Sequence, residues 1–386
     1  MKRPGGTKYL LFTTIILCCI YWTQRLLIDI SGRSSAINTG LARETDEIEL
    51  DHADSHASSV QQHDLELQNS LSSHSSSPLL PEGYTAAFPR HIWQTSSEAG
   101  RKKYENQSQT WRDVKGFQYH WLSDEEADFF VHTTFAIIWP SLVEFWNDLS
   151  SGLRPLGSGR SVQHASVKAP ALMVDSTASS AIVLRADLLR YMLMYAEGGV
   201  YADIDTSVLL HIDRWIPEQL GSQVVNAIIG IEYDDKTYKM FVRPISFCQW
   251  TLMSKPGHTI FARAIKRVMS NLEFLARRQK VASLSQLKLD KLDVLEATGP
   301  GMISDVVLEV IRDQNPEKNI TWATFHGQRD GILFGDVLIL PINAFAGNQK
   351  HSHAGDPLYG EKLVQHHFGR SWYRPSKSNV GESNKL

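Results

Sequence analysis

Cysteine is close to absent. The 386-residue chain has three, Cys18, Cys19 and Cys248, and the first two sit in one apolar run. The third has no partner for an internal disulfide, so a body exported to an oxidising compartment must stand on its own core. A basic surplus is also missing: 39 Lys and Arg against 42 Asp and Glu give a formal net charge of −3. Nucleic acid is therefore excluded as an expected partner, since phosphate binding normally shows as excess positive charge. No G-x-S-x-G elbow, P-loop GxxxxGK[ST] or GxGxxG fingerprint occurs, which removes the common serine-hydrolase, P-loop and dinucleotide signatures. Between Ser31 and Leu80 no aromatic residue occurs, and 12 of those 50 positions are serine. Such a stretch cannot bury enough surface to offset its ordering entropy.

What is present divides the chain. Hydrophobic residues make up 42% and charged residues 21%, a globular composition. Tyr9 to Gln24 (YLLFTTIILCCIYWTQ) carries no charge and would span about 24 Å as a helix, short for an average bilayer. Lys2, Arg3 and Lys8 precede it and Tyr21-Trp22 stands at its far end. We expect a cytosolic tail (1–8), a signal anchor (9–24) in preference to a cleaved signal, and a flexible stem (25–83). A body from 84 to 375 and a polar tail (376–386) follow.

Inside the body, strand-like and helix-like segments alternate, which predicts an α/β fold with a mostly parallel sheet. Strands are expected at His91-Ile92-Trp93, Val200 to Ala202, Val224 to Ile231 and Val337 to Leu340. Helices are expected at Ser123 to His132, Pro140 to Leu149, Arg185 to Glu197 and Thr259 to Arg278. Residues 150–180, rich in Gly, Ser and Pro, form an excursion. Asn106-Gln107-Ser108 and Asn319-Ile320-Thr321 are glycosylation sequons.

The sharpest chemical feature is Asp203-Ile204-Asp205 after a short strand. Two carboxylates one residue apart can turn toward one point and suit Mg2+ or Mn2+, which neutralises a diphosphate. Alone, such a triplet is usually solvated surface, but its place after a helix, a Gly198-Gly199 break and a strand raises its weight. Asp187 and Arg190 share one helical face, and spacing alone favours an ordinary surface ion pair. Gly198 and Gly199 are expected to cap the helix and admit the strand. His366-His367-Phe368-Gly369-Arg370-Ser371-Trp372 sets two imidazoles in a loop, either one a possible ligand. For His351 and His353 we favour packing. His258 either reaches an acceptor or caps the local backbone, and Cys248 is buried filler.

Six stretches together resemble glycosyltransferase family 32, in particular its fungal Golgi mannosyltransferases. They are FPRHIWQTS (88–96), ADLLRYMLMYAEGGVYADIDT (186–206), IGIE (229–232), FCQWTLMSKPGH (247–258), TGPG (298–301) and HHFGRSW (366–372). The resemblance implies a GT-A type nucleotide-sugar-binding fold. It also implies a single-pass type II Golgi membrane protein with a lumenal catalytic body. The implied reaction is retaining transfer of mannose from GDP-mannose to an N-glycan core, with alpha-1,6 linkage and Mn2+ (or Mg2+). An inositol-phosphoceramide acceptor and a silent Golgi scaffold are the alternatives, and other glycosyltransferase subunits are implied partners. By the family pattern Asp203, Asp205 and Arg190 are catalytic. Asp187, Arg190, Tyr191, Gly199 and Asp203 serve the donor, and Asp203, Asp205 and His367 (or His366) hold the metal. The 150–180 excursion and the Gly369-Arg370 pair depart from that pattern.

Overall fold

The computed structural model describes residues 87–151, 176–235 and 242–369. The expected tail, anchor, stem, most of the 150–180 excursion and Arg370 to the C-terminus lie outside them. Among the described residues no helix is long and apolar enough to cross a membrane.

The chain begins with β1 (His91–Thr95), α1 (Glu98–Lys103), α2 (Glu105–Arg112) and β2 (Gln118–Leu122). Three helices follow, α3 (Asp124–Ile138), α4 (Pro140–Ser150) and α5 (Ser176–Ala196). Then come β3 (Gly199–Ala202), β4 (Thr206–Val208), β5 (Ala227–Asp234) and β6 (Ile245–Ser254). Helices α6 (Thr259–Gln279), α7 (Lys291–Ala297) and α8 (Pro300–Gln314) lead to β7 (Ile332–Phe334), β8 (Val337–Leu340), α9 (Asn343–Ala346) and β9 (Val364–His366). Seven strands form the main sheet in the order β2-β1-β3-β6-β5-β8-β7, and β4 pairs with β9 in a second, two-stranded sheet.

The fold is mixed α/β, consistent with a GT-A-like sugar-binding domain, but the sheet is less parallel than expected. The β1/β2, β1/β3 and β5/β8 pairs are parallel, whereas β3/β6, β5/β6 and β7/β8 are antiparallel. The reason lies in loop length. The link from β5 to β6 covers residues 235–244, shorter than the dozen or so residues a parallel crossover needs. Strand β6 therefore turns back and separates β3 from β5.

Most expected elements form, with shifted ends. The Ser123 helix extends to Ile138 behind a reciprocal Ser123/Glu126 capping box. The Val224 strand starts only at Ala227, and Val224 is exposed. Helix α5 is buried on every side from Asp187 to Tyr195, so its polar residues must find partners inside the protein. It ends at Gly198 and Gly199, with φ of 64° and 83°. A Cβ at Gly198 would lie 2.6 Å from Ser254 O, and one at Gly199 2.5 Å from His91 O. Only glycine lets β3 slide between β1 and β6 there. His258 caps α6, its Nδ1 accepting the Ile260 N–H, and is 1% exposed. The local role is the one that holds. Cys248 is buried, and His353 packs flat on Tyr359.

Strands β1 and β2 carry a pH-sensitive pair. His91 Nδ1 lies 3.0 Å from His120 Nε2, and His120 stacks on Trp93. Burial, then the proximity of His91, lowers the His120 pKa to about 4. The ring is neutral when folded and takes up a proton when unfolded below about pH 6.5. Its stabilisation is therefore full above pH 6.5 and is lost as pH falls toward 4. Because the ring is only partly buried, we expect a loss of about 1 kcal/mol from it between pH 7 and 5. Melting curves at both pH values test this: wild type should lose more stability than His120→Gln, and equal losses would refute it.

Candidate active site

The DXD turn is fixed through its backbone before its side chains matter. Where β3 ends, the Asp203 N–H donates to Trp250 O (2.8 Å). The Asp203 carbonyl accepts the Thr206 N–H (3.1 Å), the Thr206 hydroxyl (2.6 Å) and the Gln94 side-chain amide (3.0 Å). Strand β4 then starts at Thr206 and pairs antiparallel with β9, setting Thr206 opposite His366. Trp111 on α2 locks this start by donating its indole N–H to Thr206 O at 2.9 Å. A histidine 161 positions away thus arrives beside the turn by strand register. His366 closes a strand rather than lying in the loop expected from sequence.

One ligand atom each from Asp203, Asp205 and His366 lie within 4.8 Å of one another. Asp205 Oδ1 faces His366 Nε2 at 3.2 Å, and Oδ2 accepts the Gly369 N–H at 2.7 Å. His367 belongs to the frame instead: its N–H donates to Asp205 O, and its ring turns to Ser207 Oγ at 3.0 Å. The structure brings together His366, and not His367, with the two carboxylates.

Behind this cluster stands a buried relay. Asp203 Oδ1 accepts the Tyr201 hydroxyl (2.8 Å) and Arg190 Nη2 (3.2 Å). Arg190 Nη1 donates to Asp187 Oδ1, and the Thr298 hydroxyl donates to Asp187 Oδ2 (2.6 Å). Asp187 and Arg190 are 3% and 5% exposed, which overturns the surface-pair expectation; the cause is the all-round burial of α5. Tyr191 and Gly199 do not reach the cluster. The Tyr191 hydroxyl donates toward Gln249 Oε1 and Thr298 O, and Gly199 serves strand packing. Tyr201, Thr298, Glu232 and Trp250 were not singled out in the sequence. The i, i+2 alternation of a strand could have paired Tyr201 with Asp203. Glu232 and Trp250 meet between β5 and β6, and Thr298 reaches α5 from the end of α7.

Comparison with known proteins finds glycosyltransferases. Residues 104–221 match the glycosyltransferase sugar-binding region containing the DXD motif. An initiation-specific alpha-1,6-mannosyltransferase of Schizosaccharomyces pombe is 29% identical, over 75% of this chain and 65% of that protein, just under two thirds of its length. The protein of the same description from Candida albicans is 28% identical over 76% of this chain and 74% of its own. Among solved structures, the PaToxG glycosyltransferase superposes over 68% of this chain and 80% of that one, at 13% identity and a TM-score of 0.34. The chain is homologous to DXD-motif glycosyltransferases.

The electrostatics of this glycosyltransferase homologue separate its acids. Burial would raise the Asp205 carboxyl, but the bond and charge of His366 and the Gly369 N–H outweigh it and hold it below the usual range. Burial pushes Asp187 up, against the opposing pull of Arg190 and Thr298. Burial also works against charge on Arg190, yet Asp187 and Asp203 keep the guanidinium firmly protonated. The contrast is Glu232 on β5, pushed up to about 7, by burial above all. The donor set of Asp203, Asp205 and His366 suits a divalent cation: two carboxylates and one imidazole, the other ring nitrogen, Nδ1, having no hydrogen-bond partner.

Proposed function

We propose that the chain is a cation-dependent, retaining alpha-1,6-mannosyltransferase moving mannose from GDP-mannose to the N-glycan core of glycoproteins. It works as a single-pass type II Golgi membrane protein, anchored through residues 9–24 with its body lumenal and with other glycosyltransferase subunits as partners. The observation that carries the proposal is the convergence of Asp203, Asp205 and His366 within 4.8 Å. Mannose transfer is supported by the description of two relatives as alpha-1,6-mannosyltransferases.

Asp203, Asp205 and His366 would hold the cation. A mixed oxygen and nitrogen set suits Mn2+ better than Mg2+, which prefers an octahedron of oxygens. When bound, the ion supplies positive charge where the diphosphate leaves. Asp203, with 27% of its side chain exposed, is the most open of the three and would face the donor. Tyr201 and Arg190 hold it from behind, so Arg190 and Asp187 position the acid from beneath. Tyr191 acts further back, through Thr298, and Gly199 admits β3 beside β1. Among the described residues no nucleophile is unambiguous, so in this reading the acceptor hydroxyl attacks from the face that GDP leaves, and its proton passes to the departing phosphate.

The test is turnover by the purified full chain with separate GDP-mannose, UDP-galactose and UDP-glucose pools. Acceptors are an N-glycan core and inositol-phosphoceramide. We expect transfer from GDP-mannose to the glycan alone, abolished by EDTA and restored better by Mn2+ than by Mg2+. Transfer that survives EDTA would refute the cation assignment; turnover confined to a UDP-sugar or to the lipid would refute the substrate.

A further inference from the structure

The sheet is irregular beside the DXD turn. On β5 and β6, Ile229 pairs with Leu252 but Ile231 pairs with Phe247, so four β6 residues, 248–251, stand against Gly230 alone. Next, Tyr233 pairs with Ser246, which leaves Glu232 as one extra residue on β5. Bulges of this kind re-aim side chains and are common beside active sites. Here the two irregularities bring a carboxyl and an indole together: Trp250 Nε1 donates to Glu232 Oε1 at 3.2 Å. Glu232 is 8% exposed and Trp250 4%.

The Trp250 ring stacks on His366, with centroids 4.4 Å apart and planes at 30°. Phe368 lies 4.1 Å from the same imidazole. His366 is therefore gripped by two rings, and its Nε2 faces Asp205. The Glu232 Oε2 atom has no hydrogen-bond partner, and the groups that act on this carboxyl besides Trp250 are His366, Asp203 and Arg190. A buried carboxyl that is only half paired is costly.

We propose that Glu232 is a positioning residue of the cation site, orienting Trp250 so that its indole holds the His366 imidazole beside Asp203 and Asp205. The proposal rests on the cation-site assignment of the preceding section. Removing Glu232 frees the indole to rotate, and His366 loses one of its two clamping faces. Groups that orient a metal ligand from behind typically cost about 10–100-fold in affinity when removed.

The test is Mn2+ binding, read as free-ion EPR signal on titrating MnCl2 alone into the full chain, without donor or acceptor. Glu232→Ala should weaken binding about tenfold. Glu232→Gln, which still accepts the indole N–H, should stay within about threefold of wild type, below that loss. Glu232→Ala combined with His366→Ala should bind no worse than His366→Ala alone, because the two act through one ring. If Glu232→Ala fails to fold, Trp250→Phe deletes the donor while keeping a ring. Weakened binding that is non-additive with His366→Ala then supports the proposal, and wild-type binding overturns it. Wild-type affinity in Glu232→Ala, additivity in the double variant, or equal losses in the Ala and Gln variants each overturn it too. A wild-type chain that takes up no Mn2+, or a His366→Ala chain that binds like wild type, overturns the cation-site assignment and the proposal together.

Discussion

Asp205→Ala is expected to lose at least about a thousandfold in sugar transfer while remaining folded, since charge stabilisation at a leaving group carries effects of that order. The two halves of this expectation come from one carboxylate. Asp205 Oδ1 faces His366 and Oδ2 takes the Gly369 N–H, so its loss opens the cation site and releases the C-terminal strand end. Its side chain is 14% exposed. Deleting it leaves one amide and one imidazole near solvent, a cost of about 1 kcal/mol. Transfer rates and thermal melts on the same preparation measure both. More than a tenth of wild-type transfer would place the cation elsewhere. A collapse in melting temperature would make Asp205 a structural residue first.

The division between legible and hidden features follows contact range. Local signals were readable: the Ser123 cap with its acidic first turn, the buried run of β8, and the paired glycines before β3. Each needs only neighbours along the chain. The parallel character of the sheet was misjudged because the β6 run, FCQWTLMS, shows neither clean alternation nor a continuous branched run. Its bulge serves Glu232, Gln249 and Trp250 rather than a regular ladder. The choice between His366 and His367 could not be read from a doublet. His366 is set beside the carboxylates by the Thr206–His366 register, which alternation alone cannot set without knowing the partner strand. Asp187 and Arg190 were misjudged for the same reason, since spacing shows that two residues share a helical face but not whether that face meets water. The sequence of α5 is apolar nearly all round from Leu188 to Tyr195, and that was the available signal for burial. Glu232 and Trp250 lie within two of the family-like stretches, yet their meeting depends on a bulge no periodicity announces.

The buried Asp187–Arg190 pair carries the largest expected effect on stability. Arg190→Ala should destabilise the protein by about 3–5 kcal/mol, because Asp187 would be left buried without its partner and must hold an uncompensated charge or take up a proton. For a body of this size that corresponds to a fall in melting temperature of roughly 5–8 °C. Arg190 also reaches Asp203 at 3.2 Å, so the same substitution should reduce transfer even in the fraction that stays folded. The two effects can be separated. Replacing both partners, Asp187→Leu with Arg190→Met, removes both charges and refills the volume, and such swaps often recover or exceed wild-type stability. The double variant should therefore melt near wild type and still fail to transfer, since Asp203 keeps only the Tyr201 hydroxyl behind it. Arg190→Lys should fall between, keeping the charge but losing the planar fork that spans two carboxylates. Recovery of transfer together with stability in the double variant would show that Arg190 does nothing for the site beyond satisfying Asp187. An Arg190→Ala protein as stable as wild type would show that Asp187 is protonated in the folded state, and that the charge on Arg190 is held for Asp203 alone.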